Sequence, residues 1–271
     1  MDFPPLSISV VIVARNAEET IEDCLRSIQR NRPAEIILVD GNSTDRTVEI
    51  ARRFAVQVHS DGGKGLTFAR QIGVETASQD YVAFVDSDVV LTDGALATMH
   101  ADLRNSDYVC ISAQEATDMK RSGYWEWAQC EHYQLHRVHD HIYMLACLFK
   151  RDILLKYGFY LSERGLDNRM DDTDLEIRLR RDGLKFGRSS AVFHHHYRPD
   201  LKSFAKYRFF QGRVTVCYIR KYGPWHIGFW PPLTRLYWLG FLLARGKLRL
   251  VPYIVVDGVV QTAGLLRGFF E

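Results

Sequence analysis

The stretch "YVAFVDSDVV", residues 81–90, joins an apolar run to two aspartates that stand one residue apart. The run "YVAFV" has the length and the β-branched and aromatic content of a buried strand. Because side chains alternate along a strand, Asp86 and Asp88 would point the same way and could meet one hard cation. The alternative interpretation is the polar end of a strand that binds no ligand.

The surrounding chain, residues 7–112, alternates short apolar runs with segments of helical periodicity. The apolar runs are "SISVVIVA", "AEIILVD", "VQVHS", "YVAFVD" and "DYVCISA". The segment "NAEETIEDCLRSIQRN" between the first two places its apolar residues on one helical face, with acids early and arginines late, as the helix dipole favours. This alternation predicts an α/β fold with a mostly parallel, Rossmann-like sheet flanked by helices.

Composition limits the classes of function. The 271 residues are 46% hydrophobic, enough for a large core, and 35 basic against 33 acidic residues leave a net charge of +2. So small a charge gives no overall field for nucleic acid, and we expect no nucleic-acid partner. The five cysteines are widely spaced without a CxxC pair, which argues against a disulfide framework or a zinc ribbon and favours a reducing compartment.

Two further acidic features follow predicted strands or open a predicted helix. Asp40 ends "EIILVD", and a carboxylate at the carboxyl end of a parallel strand can accept hydrogen bonds from a nucleotide base or ribose; its alternative is a helix cap. In "MDDTDLEIRLRR", Asp171, Asp172 and Asp174 crowd at a helix start. Capping is again the alternative, but mutual repulsion raises at least one carboxyl pKa, which suits a general base.

Taken in order, these blocks resemble the inverting family 2 glycosyltransferases of the GT-A fold, from about Ser7 to Gly212. The blocks that carry the resemblance are "VIVARNAEE", "LVDGNSTD", "GGKGLTFARQIG", "VDSD", "FKRDILLKYGFY" and "DDTDLEIRLRRDG". The resemblance implies transfer of a sugar from a nucleoside-diphosphate sugar, UDP- or GDP-linked, with inversion of configuration. It also implies a divalent cation, Mg²⁺ or Mn²⁺.

Site residues carry over from the family by motif. The resemblance assigns recognition of the nucleotide base to Asp40 and the catalytic base to Asp172. Arg70 in "FARQIG" would contact the diphosphate or shape its pocket, and Lys64 is a second candidate phosphate contact.

The metal assignment also rests on the resemblance. Asp86 and Asp88 would hold the nucleotide and the metal, with Asp88 as the direct ligand. In "AVFHHHYR", His194 occupies a position where related enzymes often have a histidine that completes the metal or diphosphate shell. The alternative for His194 is an ordinary strand histidine.

The organisation of the chain follows from these blocks and from a change in composition. We expect a catalytic domain over residues 1–222, with a nucleotide-binding half at 1–112 and an acceptor-binding half at 113–222. Residues 223–271 form a hydrophobic or amphipathic helical segment, which prolines, arginines and Asp257 interrupt.

That C-terminal composition fits a segment in the membrane interface, although a packed helical pair or a dimer contact fits it too. We therefore expect a peripheral protein at the cytoplasmic face of the membrane. Its acceptor would be lipid-linked, either a polyprenyl phosphate or a lipid-linked glycan. The alternatives are a soluble acceptor, or a non-catalytic nucleotide-sugar-binding protein of the same fold.

Overall fold

The computed structural model describes residues 5–116, 123–135, 141–159, 171–198, 200–223 and 231–271. The strands are β1 (Leu6–Ala14), β2 (Pro33–Asp40), β3 (Gln57–Ser60), β4 (Tyr81–Val85), β5 (Val89–Leu91), β6 (Cys110–Glu115), β7 (Ala146–Lys150) and β8 (Phe186–His195). The helices are α1 (Ile21–Arg30), α2 (Thr47–Ala51), α3 (Leu66–Thr76), α4 (Ala95–Arg104), α5 (Tyr124–Leu135), α6 (Arg151–Tyr157), α7 (Asp171–Arg181), α8 (Leu201–Tyr222), α9 (Pro231–Ala244) and α10 (Val251–Phe269), with a 3₁₀ turn at Leu248–Leu250.

All eight strands form one sheet in the order β3-β2-β1-β4-β7-β6-β8-β5. The pairs β1–β2, β1–β4, β2–β3 and β6–β8 are parallel. Strand β7 runs antiparallel to both β4 and β6, and β5 runs antiparallel to β8. The predicted α/β fold with a mostly parallel sheet is thus confirmed, and the antiparallel strands lie in the half that follows "VDSD".

Both faces of the sheet are apolar, because alternate side chains of its central strands enter two separate clusters. On β1, Ile8, Val10 and Ile12 pack in the cluster that includes residues of α1 and α4. Val11 instead joins the cluster that includes residues of α3, α6 and α7. Helices therefore cover both faces and leave the strand ends to carry polar groups.

The chain divides into two compact units. The first lies within residues 1–119 and 138–196 and holds the sheet; the second lies within 120–137 and 197–271 and holds α5, α8, α9 and α10. This division comes near residue 197, earlier than the boundary expected at residue 222, because α8 packs along α10. The functional division into a catalytic domain and a C-terminal segment stays a prediction.

In the second unit, α8 and α10 touch backbone to backbone. A Cβ atom added to Gly264 would lie 2.0 Å from the carbonyl oxygen of Phe209, and one added to Gly212 would lie 2.0 Å from that of Gln261. Only glycine permits such an approach.

Residues Leu248–Phe269 are long and apolar enough to cross a membrane, judged by length and composition, and 44% of that window is buried inside the protein.

A buried charge cluster ties this unit together at Asp257, whose side chain has no solvent exposure. Arg208 donates to Asp257 through Nε and Nη2, and the Nε of Arg235 donates to the same carboxylate at 2.5 Å. Arg208 and Arg235 are therefore structural partners of one buried acid.

Candidate active site

Arg70 links the end of β4 to the start of α7. It lies on α3 and is only 4% exposed. Its Nη1 donates to Oδ1 of Asp171, and its Nη2 lies 3.4 Å from Oδ1 of Asp86. The resemblance connects Arg70 with a diphosphate, and Asp171 was expected to cap a helix or to repel the neighbouring acids. The structure shows Arg70 holding two carboxylates from distant parts of the chain, and its contact with a diphosphate remains a prediction.

Asp86 is crowded by protein atoms although 33% of its side chain is exposed to solvent. Its pKa is raised to about 6, because burial disfavours the charged form and Asp88 repels it, which together outweigh the attraction of Arg70. In the protein alone, the positive charge near Asp86 therefore does not offset the cost of ionising its carboxyl group.

Asp88 meets a histidine from β8. The Oδ2 atom of Asp88 lies 3.5 Å from Nε2 of His195, and the backbone N–H of His196 donates to the Asp88 carbonyl at 2.9 Å. Burial lowers the pKa of His195, but Asp88 outweighs that effect, and the net shift is upward.

The structure thus places His195, rather than the expected His194, beside Asp88. Antiparallel pairing sets Val89 opposite His195 and Val90 opposite His194, so the two histidines lie on opposite faces of the sheet. The sequence of three consecutive histidines does not show which of them faces Asp88. The pairing of β8 with β5 shows it. Whether either histidine binds metal stays a prediction.

Asp172 stands at the beginning of α7, next to the Arg70–Asp171 ion pair. Its Oδ1 accepts the backbone N–H of Thr173 at 2.7 Å. Burial raises its pKa to about 7 with help from the charge of Asp171, while Arg70 opposes the shift. A carboxylate that titrates near neutral pH is well matched to accept a proton from a reacting hydroxyl.

Asp40 and Lys64 lie in the loops that follow β2 and β3. The Asp40 carboxylate accepts the backbone N–H of Ser43 at 3.1 Å, a contact within the loop that precedes α2 and not the helix cap named as its alternative. Lys64 lies in a glycine-rich loop closed by Asp61, with its Nζ 4.4 Å from the ring centre of Phe68. Among the described residues, no contact joins Asp40 or Lys64 side chains to Arg70, so their assigned roles rest on the resemblance.

The acidic pair suits a Mg²⁺ or Mn²⁺ ion held partly by substrate. The side chains of Asp86 and Asp88 are about one-third exposed to solvent, at 33% and 30%. Within the described ranges, no group of three or more His, Cys, Asp or Glu side chains is close enough to form an all-protein metal site. Mg²⁺ sites of nucleotide enzymes commonly use one or two carboxylates plus phosphate oxygens, so this sparse donor set fits such an ion.

Comparison with solved structures supports the fold. A mannosyltransferase from Pyrobaculum calidifontis, PcManGT, solved in complex with GDP-Man and Mn²⁺, superposes with a TM-score of 0.70 over 99% of this chain and 88% of its own. The sequence identity is 16%, so the likeness establishes the fold, which is GT-A as predicted.

Sequence relatives match a little over a third of this chain. Glycosyltransferase GlyG of Streptococcus pneumoniae serotype 4 is 31% identical over 37% of this chain and 36% of its own length. A cholesterol galactosyltransferase of Borreliella burgdorferi is 31% identical over 38% of this chain and 31% of its own. The alignments thus span about a third of each of these two relatives.

The family itself is defined by a longer match. Residues 9–156, more than half of the chain, match the family described as Glycosyl transferase family 2. The matched segment runs from β1 to α6 and includes Asp40, Arg70, Asp86 and Asp88, whereas Asp172 and β8 lie beyond it. With the GT-A fold and the Arg70 cluster joining that segment to α7, the chain belongs to glycosyltransferase family 2.

Proposed function

We propose that this protein transfers a sugar from a UDP- or GDP-sugar to an acceptor O–H group, with inversion at the anomeric carbon. The observation that carries this proposal is Asp172, a carboxylate with a pKa raised to about 7, next to the cluster in which Arg70 joins Asp86 to Asp171. That the solved relative binds GDP-Man and Mn²⁺ supports a donor of this class.

In the proposed mechanism, Asp172 takes the proton of the acceptor as its oxygen attacks the anomeric carbon. The bond from that carbon to the diphosphate oxygen breaks, and its electron pair leaves with the nucleoside diphosphate. Arg70 pairs with Asp171 and so holds it beside Asp172. The negative charge of Asp171 helps to raise the pKa of Asp172, which makes Asp172 a better proton acceptor.

Donor binding completes the proposal. Asp40 would bind the nucleotide base, and Lys64 and Arg70 would lie on the diphosphate side. Asp88 and Asp86, with His195 or His194 as the third candidate, would hold the metal. A bound Mg²⁺ or Mn²⁺ supplies positive charge that stabilises the leaving diphosphate.

We propose further that the acceptor is lipid-linked and that the C-terminal segment lies on the cytoplasmic face of a membrane. Leu236, Tyr237, Val259 and Phe270 are each more than 60% exposed. The connection at residues 245–249 adds exposed basic side chains, which favour anionic headgroups. The name of the Borreliella relative, a cholesterol galactosyltransferase, fits a lipid acceptor. A soluble acceptor is the alternative, favoured by the partial burial of α10 against α8.

A thermal-shift panel tests the donor and the metal. UDP-, GDP- and CDP-sugars are each added with and without Mn²⁺, and one of them is expected to raise Tm by about 5 °C at a hundredfold excess over Kd. Asp88→Asn should weaken the part of this shift that depends on Mn²⁺. The matched control is Asp23→Asn, an exposed acid on α1. If no nucleotide sugar shifts Tm, donor binding is refuted; a shift without any transfer activity would indicate the non-catalytic alternative.

The raised pKa of Asp172 predicts how rate and stability depend on pH. Since the base must be ionised, kcat/KM should rise as pH increases through about 7 and then level off. In the unliganded protein, a folded-state pKa above the ordinary value of 3.8 means that stability falls as pH rises from about 4 to about 7. Melting curves against pH check this, and Asp172→Asn should lose less stability over that interval. A wild-type rate independent of pH between 5.5 and 8, roughly, would contradict the assignment.

A further inference from the structure

We propose that Arg188 on β8 binds a phosphate group of the acceptor. This inference rests on the proposed function, because it names the chemistry of the group that Asp172 would act beside. It concerns a residue that lies outside the matched family segment and outside every motif discussed above.

Arg188 belongs to a polar stretch on one face of the sheet. The parallel register of β6 and β8 sets Cys110 opposite Phe186, Ser112 opposite Arg188 and Gln114 opposite Val192. Because side chains alternate, the first two pairs lie on the same face, and the register shifts between Ser112 and Gln114. Cys110 and Phe186 belong to the apolar cluster of that face, and the next pair along the strands is polar. The face therefore changes from apolar to polar at Ser112 and Arg188.

The guanidinium of Arg188 has unused hydrogen-bond donors. Its Nε and Nη2 atoms are buried and have no hydrogen-bond partner in the described part of the chain. The centre of the guanidinium lies 4.6 Å from the ring centre of Tyr143, whose backbone N–H donates to Oγ of Ser112 at 3.0 Å. Stacking on Tyr143 holds the group in place but satisfies none of its N–H donors.

The nearby acid is already engaged by other groups. Glu176 of α7 lies near this face, since it contacts Ile142, the residue before the Tyr143 that stacks on Arg188. Its carboxylate accepts Nε of Arg180 at 3.1 Å and the backbone N–H of Ile142 at 3.0 Å, and lies 2.8 Å from Nδ1 of His141. No carboxylate in the described ranges forms an ion pair with Arg188. A half-buried cation whose Nε and Nη2 atoms are shielded from solvent is costly without a counter-charge, and a bound anion would offset that cost.

The position suits the acceptor. Leu175 and Leu179 of α7 pack in the same cluster as Phe186 of β8, so α7, which begins with Asp171 and Asp172, covers the sheet face to which Arg188 belongs. Nε and Nη2 form one edge of the guanidinium fork, which matches two oxygens of a phosphate. The shared chemistry is a phosphate monoester or diester, whether it is carried by a lipid or by a soluble acceptor.

The test measures binding of phosphate probes to the full chain by calorimetry, after GDP or UDP with Mn²⁺ has been added. The probes are citronellyl phosphate, its neutral counterpart citronellol, and glycerol 3-phosphate. Citronellyl phosphate should bind at least about tenfold more tightly than citronellol, and Arg188→Gln should remove that advantage. Arg188→Lys should restore only part of it, because lysine lacks the fork. Arg181→Gln removes an exposed arginine of α7 and is the matched control.

Two further readouts separate this inference from a structural role and from the proposed function. Nucleotide affinity should be unchanged in Arg188→Gln, and its Tm without ligand should equal or exceed that of wild type, because a buried unpaired charge is removed. Equal citronellyl phosphate binding by wild type and Arg188→Gln, or equal binding of citronellol and its phosphate, would overturn the inference. If glycerol 3-phosphate binds as tightly as the lipid probe and with the same dependence on Arg188, the site stands and the acceptor is soluble. Loss of nucleotide binding in wild type would instead refute the proposed function.

Discussion

Replacing Asp172 with asparagine is expected to reduce the rate of sugar transfer by about 10²–10⁴-fold while leaving the Kd for the donor within about twofold of wild type. The amide keeps the size of the side chain but cannot take up a proton at neutral pH. Since Asp172 is not among the residues proposed to hold the donor, binding should survive the change. Initial rates with a saturating nucleotide sugar, together with donor titrations, measure both quantities.

The control for this substitution is Asp23→Asn, which makes the same chemical change at an exposed position of α1 and should be silent. Asp171→Asn makes a second comparison. It removes the buried partner of Arg70 and with it the neighbouring charge that raises the pKa of Asp172, so the midpoint of the pH–rate profile should move down. Retention of at least half the wild-type rate by Asp172→Asn would show that another group acts as the base.

The sequence was sufficient to predict the fold and the acidic pair because both depend on local pattern. The strand "YVAFV" is followed by Asp86 and Asp88, and the alternation of runs before it predicts parallel pairing. Two other features depend on contacts between distant segments. The Arg70–Asp171 ion pair joins residues separated by 101 positions, and no periodicity within either segment indicates it.

Which histidine lies next to Asp88 also depends on contacts between distant segments. In "HHH", the face that each side chain occupies depends on the register of β8 against β5, which a run of three identical residues does not specify. The cations of α8 also have partners far along the chain: Arg208 pairs with Asp257, and Arg213 lies 2.7 Å from Glu271. Composition cannot distinguish a surface cation from one paired with an acid about fifty residues later.

The second large effect is expected at Asp257, where replacement by asparagine should lower the free energy of unfolding of the second unit by about 3–5 kcal/mol. The substitution leaves Arg208 and Arg235 buried, with side chains 16% and 14% exposed, and without their shared counter-charge. All five tryptophans of the chain fall within the residues of this unit, so urea unfolding followed by tryptophan fluorescence reports its stability selectively. Arg267→Gln, which breaks an exposed pair with Glu271 in the same region, is the control and should cost less than about 1 kcal/mol.

The pH dependence gives this prediction a second, independent check. Burial alone would raise the pKa of Asp257, but Arg208 and Arg235 lower it to about 2. A folded-state pKa below the ordinary value of 3.8 means that the stabilisation is complete above about pH 4 and is lost as pH falls toward about 2. The fluorescence-detected stability of wild type should therefore decrease over that interval, and Asp257→Asn should lack this component. If the variant unfolds at the same urea concentration as wild type, the two arginines find solvent or other partners, and the carboxylate does not organise the packing of α8, α9 and α10.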